Sequence, residues 1–188
     1  MMRRMLLIGL AALAGCSSAS PELYTLNAVP GTPRPGGPRW VVLREIGLAR
    51  YLERDQIVRS SEGNRLDVRA NDWWGEPLGG MLSRVLIENL SQRLPGTSVL
   101  AEFGAITPEA ESIVELNIQR MDAGGDGMLV LLAQISAGKL GSRRNSQSRS
   151  SRIIVPLAGP DTRSLVVAMS TAAGQLADAI ADMLRGLR

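Results

Sequence analysis

The stretch SIVELNIQRMDAGGDGMLVLLAQISA, residues 112–137, decides the fold. From Ser112 to Met121 apolar and polar residues alternate. Val114, Leu116, Ile118 and Arg120 oppose Glu115, Asn117, Gln119 and Met121. Period-two alternation puts one set of side chains on a core and the other in water, so this is a half-buried strand. Gly124-Gly125-Asp126-Gly127 supplies turn chemistry, and Met128 to Ala137 is a second, more apolar strand. Arg149 to Leu157 returns antiparallel to it.

Outward from this meander the periodicity changes. Leu165 to Leu187 places Met169, Ala172, Leu176, Ile180, Met183 and Leu187 at helical spacing. A second helix opens at Pro77, where a missing N–H is harmless. It carries Leu78, Met81, Leu82, Val85, Leu86 and Leu90 before Pro95-Gly96 stops it. Short strands are expected at Leu23–Leu26, Trp40–Ile46 and Val99–Glu102, with a hairpin of Gln56–Arg59 and Arg65–Ala70 about Ser61 to Asn64. In its second arm Leu66, Val68 and Ala70 oppose Arg65, Asp67 and Arg69. Runs of strands with two helices, rather than strict alternation, predict an α+β fold: a largely antiparallel sheet with two amphipathic helices packed on one face.

The first residues carry a different message. Arg3 and Arg4 precede an apolar run, Met5 to Leu13, too short for the roughly 20 residues that span a bilayer. Leu13-Ala14-Gly15-Cys16 follows, small residues before a thiol, the pattern at which a lipoprotein signal is cut and the cysteine acylated. The expected organisation is a signal peptide at 1–15, then 16–39 as lipidated N-terminus, short strand and Pro/Gly-rich linker, and a periplasmic α+β domain at 40–188. Val29 to Arg39, with four prolines among glycines, can hold neither helix nor ladder. Several acyl chains on Cys16 anchor far more firmly than the single chain that gives marginal binding. Ser17 is not the aspartate that retains enteric lipoproteins at the inner membrane, so the periplasmic side of the outer membrane is favoured over the inner membrane. No other stretch is read as crossing a bilayer.

Composition narrows the chemistry. The 188 residues contain no histidine and one cysteine. The commonest general base and metal ligand are absent, and acylation of Cys16 consumes the only thiol. Glu109 and Glu111 read as solvated carboxylates, as do Asp178 and Asp182 on the polar face of the last helix. The glycine turn lacks the Lys-Ser/Thr of a phosphate loop, and no serine sits in a nucleophile elbow. The expectation is no enzyme, no metal and no cofactor. The formal charge of +3 falls by two when Arg3 and Arg4 leave with the signal, so a nucleic-acid partner is not indicated. The stretch from Lys139 to Arg152, with Arg143, Arg144 and Arg149, holds no acid. It reads either as a solvated hairpin tip or as a contact for anionic headgroups or an acidic partner.

Three groups of residues resemble the ABC-transport auxiliary lipoproteins of the Pqi type. Tyr51-Leu52-Glu53-Arg54-Asp55-Gln56-Ile57-Val58-Arg59 is similar to that family's Tyr-Leu-Asp-Arg-x-Gln-Ile-Val-x. Trp74-Gly75-Glu76-Pro77-Leu78 matches Trp-x-Glu-Pro-Leu, followed by Arg84-Val85-Leu86 and Asn89-Leu90. Leu165-Val166, Ala168-Met169-Ser170, Leu176-Ala177 and Ile180-Ala181 resemble the closing helix. Asp55 stands where the family usually has proline, and Lys139 to Arg152 is unusually basic. The resemblance implies a non-catalytic accessory of an MCE-type system that moves lipid between membranes and supports envelope integrity. Its partner would be the MCE-domain protein of the same system, with phospholipid and a second copy of the chain as further candidates. A lipoprotein regulator docking onto a cell-wall synthase or other envelope enzyme is the alternative. Such a domain acts by contact, and Tyr51, Ile57, Trp73, Trp74, Arg143 and Arg144 are the candidate contacts.

Overall fold

A computed structural model describes residues 20–106, 109–141 and 146–187. The backbone of the fold is the meander: β7 (Ser112–Ala123), β8 (Met128–Lys139) and β9 (Ser146–Pro156), antiparallel throughout. β1 (Glu22–Tyr24), β2 (Trp40–Leu43), β3 (Gly47–Leu48), β4 (Gln56–Ser60), β5 (Asp67–Trp74) and β6 (Ser98–Ala101) complete the strands. The helices are α1 (Leu78–Arg93) and α2 (Thr162–Arg185). The larger sheet runs β6-β2-β7-β8-β9, with β3 also on β7; the smaller runs β1-β5-β4. The fold is α+β and its strands are mostly antiparallel. One side, however, is parallel: β2 lies parallel to both β6 and β7, with α1 in the crossover between β2 and β6.

The register explains the core. Val114 faces Ala137, Leu116 faces Ile135 and Ile118 faces Ala133; farther along, Leu131 faces both Met121 and Ile153. These side chains are buried beneath the two helices together with Val41 and Leu43 of β2. The opposite face, with Glu115, Asn117, Gln134, Ser148 and Ser150, stays exposed.

Alternation does not run unbroken to Met121. The register shifts between Ile118 and Arg120, so that Met121 turns into the core and Arg120 out of it. A bulge spares the sheet an arginine on its apolar side. At the turn, Gly124 N–H donates to Met128 O at 2.7 Å, and Gly127, at φ 74°, takes a conformation that side chains disfavour. In the second hairpin arm the set Leu66, Val68 and Ala70 does not form a core face: Leu66, just before β5, and Ala70 are exposed and Val68 only half-buried. That arm lies on the smaller sheet, beyond the cover of the helices.

α2 begins earlier than its apolar spacing predicts, because Asp161 caps it, accepting from Ser164 N–H at 2.8 Å. Thr162 Oγ1 donates to the Asp72 carboxylate, tying the helix start to β5. By length and hydropathy α2 could cross a membrane; instead 67% of its most apolar window is buried inside the domain.

The Pro/Gly-rich segment forms no helix or strand, yet it is not a loose connection. It lies as a strap across both helices. Asn27 N–H donates to Ser170 Oγ of α2 and Val29 N–H to Asn89 Oδ1 of α1. Arg34 N–H donates to Arg93 O, and Arg185 Nε donates to Pro35 O.

Candidate docking site

The Tyr51–Arg59 motif folds as a 3-10 turn, Arg50–Leu52, leading into β4. Leu52, Ile57 and Val58 are buried. Ile57 has no exposed surface, so it offers a partner nothing to touch in this conformation. Tyr51 is half-buried and its hydroxyl donates to Asp122 Oδ2 at 2.6 Å. Asp122 is fully buried and also accepts from Ser61 Oγ at 2.7 Å and Arg120 Nε at 2.8 Å. Glu62 extends the network, accepting from Gly125 N–H at 2.7 Å and Arg120 at 3.4 Å. A buried carboxylate needs such partners, and the β7 bulge brings Arg120 and Asp122 to the motif. Burial first, then the bond to Asp122, raises the Tyr51 phenol well above its ordinary pKa.

The adjacent tryptophans divide. Trp74 is buried in the core and its backbone N–H donates to Asp55 O at 2.8 Å. Gly75 N–H then donates to Tyr24 O, so the chain is pinned where it turns toward α1. Trp73 is half-buried, and its Nε1 donates to Ala70 O at 2.9 Å. Its register partner across β1 is Leu23, which is 66% exposed. Trp73 and Leu23 together form an apolar patch on the smaller sheet.

A second apolar feature was not read from sequence. A groove of about 640 Å³ runs beside the first half of α1, with Leu48 on one side and Phe103 at its mouth. Its residues come from four separate segments, and only the glycine pair Gly79-Gly80 in an otherwise good helix could have drawn attention to it.

Asp178 and Asp182 are not a merely solvated pair. Asp178 accepts from Arg93 Nε at 2.9 Å and Arg34 at 3.1 Å, and Asp182 from Arg34 at 2.6 Å. They hold the strap. Among the described residues no cluster of His, Cys, Asp or Glu could hold a metal ion. Cys16, Arg143 and Arg144 lie outside the described residues.

Among the described residues the arrangement offers surfaces and braces, and comparison with known proteins gives the chain a family. A sequence model described as the ABC-type transport auxiliary lipoprotein component matches residues 24–181. The chain belongs to this family. An auxiliary lipoprotein of this kind is a membrane-anchored component of the cell envelope that serves a transport system. Two solved structures share the fold of this auxiliary lipoprotein. One, described as an uncharacterized protein, is 17% identical, with a TM-score of 0.73, covering 87% of this chain and 98% of its own. The other, protein XCC0632 from Xanthomonas campestris, is 18% identical, with a TM-score of 0.66, covering 88% and 94%. No curated protein matches the auxiliary lipoprotein significantly.

Proposed function

We propose that this auxiliary lipoprotein is acylated on Cys16, sits on the periplasmic side of the outer membrane, and docks without catalysis onto the MCE-domain protein of a lipid transport system. The observation that carries the reading is the family match across the folded domain, residues 24–181. The similarity of the Tyr51–Arg59 and Trp74–Leu78 motifs to those of the Pqi type adds the MCE system. The Trp73 and Leu23 patch is the contact surface this reading uses on the smaller sheet, because half-exposed aromatics make strong interface anchors. Tyr51, braced on Asp122, anchors the turn that leads into β4 of the same sheet, and the basic run with Arg143 and Arg144 meets anionic headgroups or an acidic partner.

Genetic interaction tests this. Loss of the auxiliary lipoprotein, loss of the MCE-domain protein, and loss of both should give the same sensitivity to detergent. Additive sensitivity in the double mutant, or the same sensitivity shared with a cell-wall synthase instead, would overturn the reading.

A further inference from the structure

The groove beside α1 has a floor of Ile46, Leu48, Leu78 and Ile87, with Phe103, 80% exposed, at its mouth. We propose that it is the docking site for an apolar protein segment flanked by lysine or arginine. The proposal deepens the accessory-subunit reading by naming the chemistry of what docks.

The glycines carry the first part of the argument. Gly79 and Gly80 are the second and third residues of α1, where glycine is a poorer helix former than alanine, by up to about 1 kcal/mol in a helix interior. Packing does not demand it here. A Cβ at Gly80 would meet nothing within 4 Å, and one at Gly79 would sit 3.6 Å from Leu48 Cδ1, an ordinary contact. Both glycines line the groove. Two side chains are missing where the fold has room for them, and their absence lets another chain approach the helix closely.

Charge identifies the occupant. Glu45 and Glu53 lie on the rim, and among the described residues neither has a cation within salt-bridge distance. The third rim acid, Glu102, is 3.6 Å from Arg44. The one rim cation, Arg84, is committed to Glu76 at 2.7 Å. The rim is therefore negative over an apolar floor. It repels the phosphate of a lipid headgroup and attracts ammonium or guanidinium groups flanking an apolar anchor. Phe103 supplies an aromatic contact at the mouth, where such residues dominate binding.

The test is photo-crosslinking of the full chain in cells, with a benzophenone amino acid in place of Phe103 and, as a remote control, in place of the exposed Val167 on α2. Sequencing of the cross-linked peptide should return an apolar segment with flanking Lys or Arg. Gly80→Leu fills the groove, and the double variant Glu45→Lys, Glu53→Lys reverses its rim. Each should cut the Phe103-site crosslink about tenfold, as loss of an interface hot spot does, and leave the Val167-site pattern unchanged. Gly80→Leu raises helix propensity, so its loss of crosslink cannot be laid to unfolding; a thermal melt confirms this. Crosslinks to phospholipid, to a second copy of the chain or to an acidic segment would overturn the proposal, as would no crosslink or indifference to both variants. Which protein contributes the segment bears separately on the accessory-subunit reading.

Discussion

Arg93, in the last turn of α1, donates from Nε to Asp178 Oδ1 of α2 at 2.9 Å, and does so while only 2% exposed. Nη1 donates to Val29 O at 3.0 Å and to Asn89 O at 3.2 Å, and Nη2 to Asp178 Oδ2 at 3.4 Å. One guanidinium thus joins both helices to the strap. Removing a partner from a buried pair leaves an uncompensated charge, at a cost of about 3–5 kcal/mol. Asp178 is one-third exposed, which puts its loss at the low end. Asp178→Ala should cost about 3 kcal/mol in denaturant unfolding. Asp182→Ala, more exposed and outside the buried pair, should cost under about 1 kcal/mol. Equal effects would deny the bridge its role.

Gly31 lies against the same guanidinium. A Cβ there would fall 2.2 Å from Arg93 Cζ, so Gly31→Ala must displace the side chain or the strap. It should destabilise by about 2 kcal/mol, typical of overpacking. Because both changes disturb Arg93, Gly31→Ala and Asp178→Ala should be less than additive in a double-mutant cycle. Full additivity would mean that the strap and the bridge are independent.

The Tyr51–Asp122 bond gives a pH signature. In the unfolded chain tyrosine ionises near its ordinary value of about 10, while in the fold Tyr51 keeps its proton to higher pH. Its contribution is complete below pH 10 and is lost as pH rises toward the folded pKa, at about 1.4 kcal/mol per pH unit. Tyr24, pushed up to about 12 by burial and then by its bond to Glu22, adds to the same window. Tyr51→Phe should cost about 2 kcal/mol at neutral pH, because Asp122 loses a donor. It should also flatten most of the loss of stability above pH 10, since solvent screens the Tyr24–Glu22 bond and leaves Tyr24 a smaller share. An unchanged alkaline slope would refute the assignment.

The tryptophans separate scaffold from surface. Trp74→Ala should cost about 3–5 kcal/mol, as removal of a large aromatic from a core does. Trp73→Ala should melt within a few degrees of the wild type yet weaken capture of the MCE-domain protein by about tenfold. Thermal melts beside a pull-down read both. If Trp73→Ala binds normally, the patch it forms with Leu23 is not the contact.

Local signals explain what the sequence disclosed. β7 and both helices repeat their pattern over ten residues or more, so period locates them, while β8 and β9 are placed by the glycine turn and their apolar runs. β2 is four residues long, and its partners in β6 and β7 lie more than fifty residues away, which leaves no local trace of parallel pairing. The β7 bulge was visible only as a conflict, with Arg120 falling among apolar positions and Met121 among polar ones. The composition of the strap correctly excludes a ladder but does not reveal packing, since its partners are a helix interior and two acids 144 and 148 residues beyond Arg34. Tyr51 and Ile57 stood out by motif, yet the motif reflects a brace and a core residue as much as a surface.

Docking within an MCE-type transport system, the role proposed for this lipoprotein, would leave the partner attached to it. The most direct measurement is co-purification of the full-length chain from detergent-solubilised envelope, with mass spectrometry of its partners in wild type and in Cys16→Ser. An MCE-domain protein should be recovered with the wild type and depleted when the acceptor thiol is gone. Recovery of a cell-wall synthase in place of any MCE-domain protein would contradict that role.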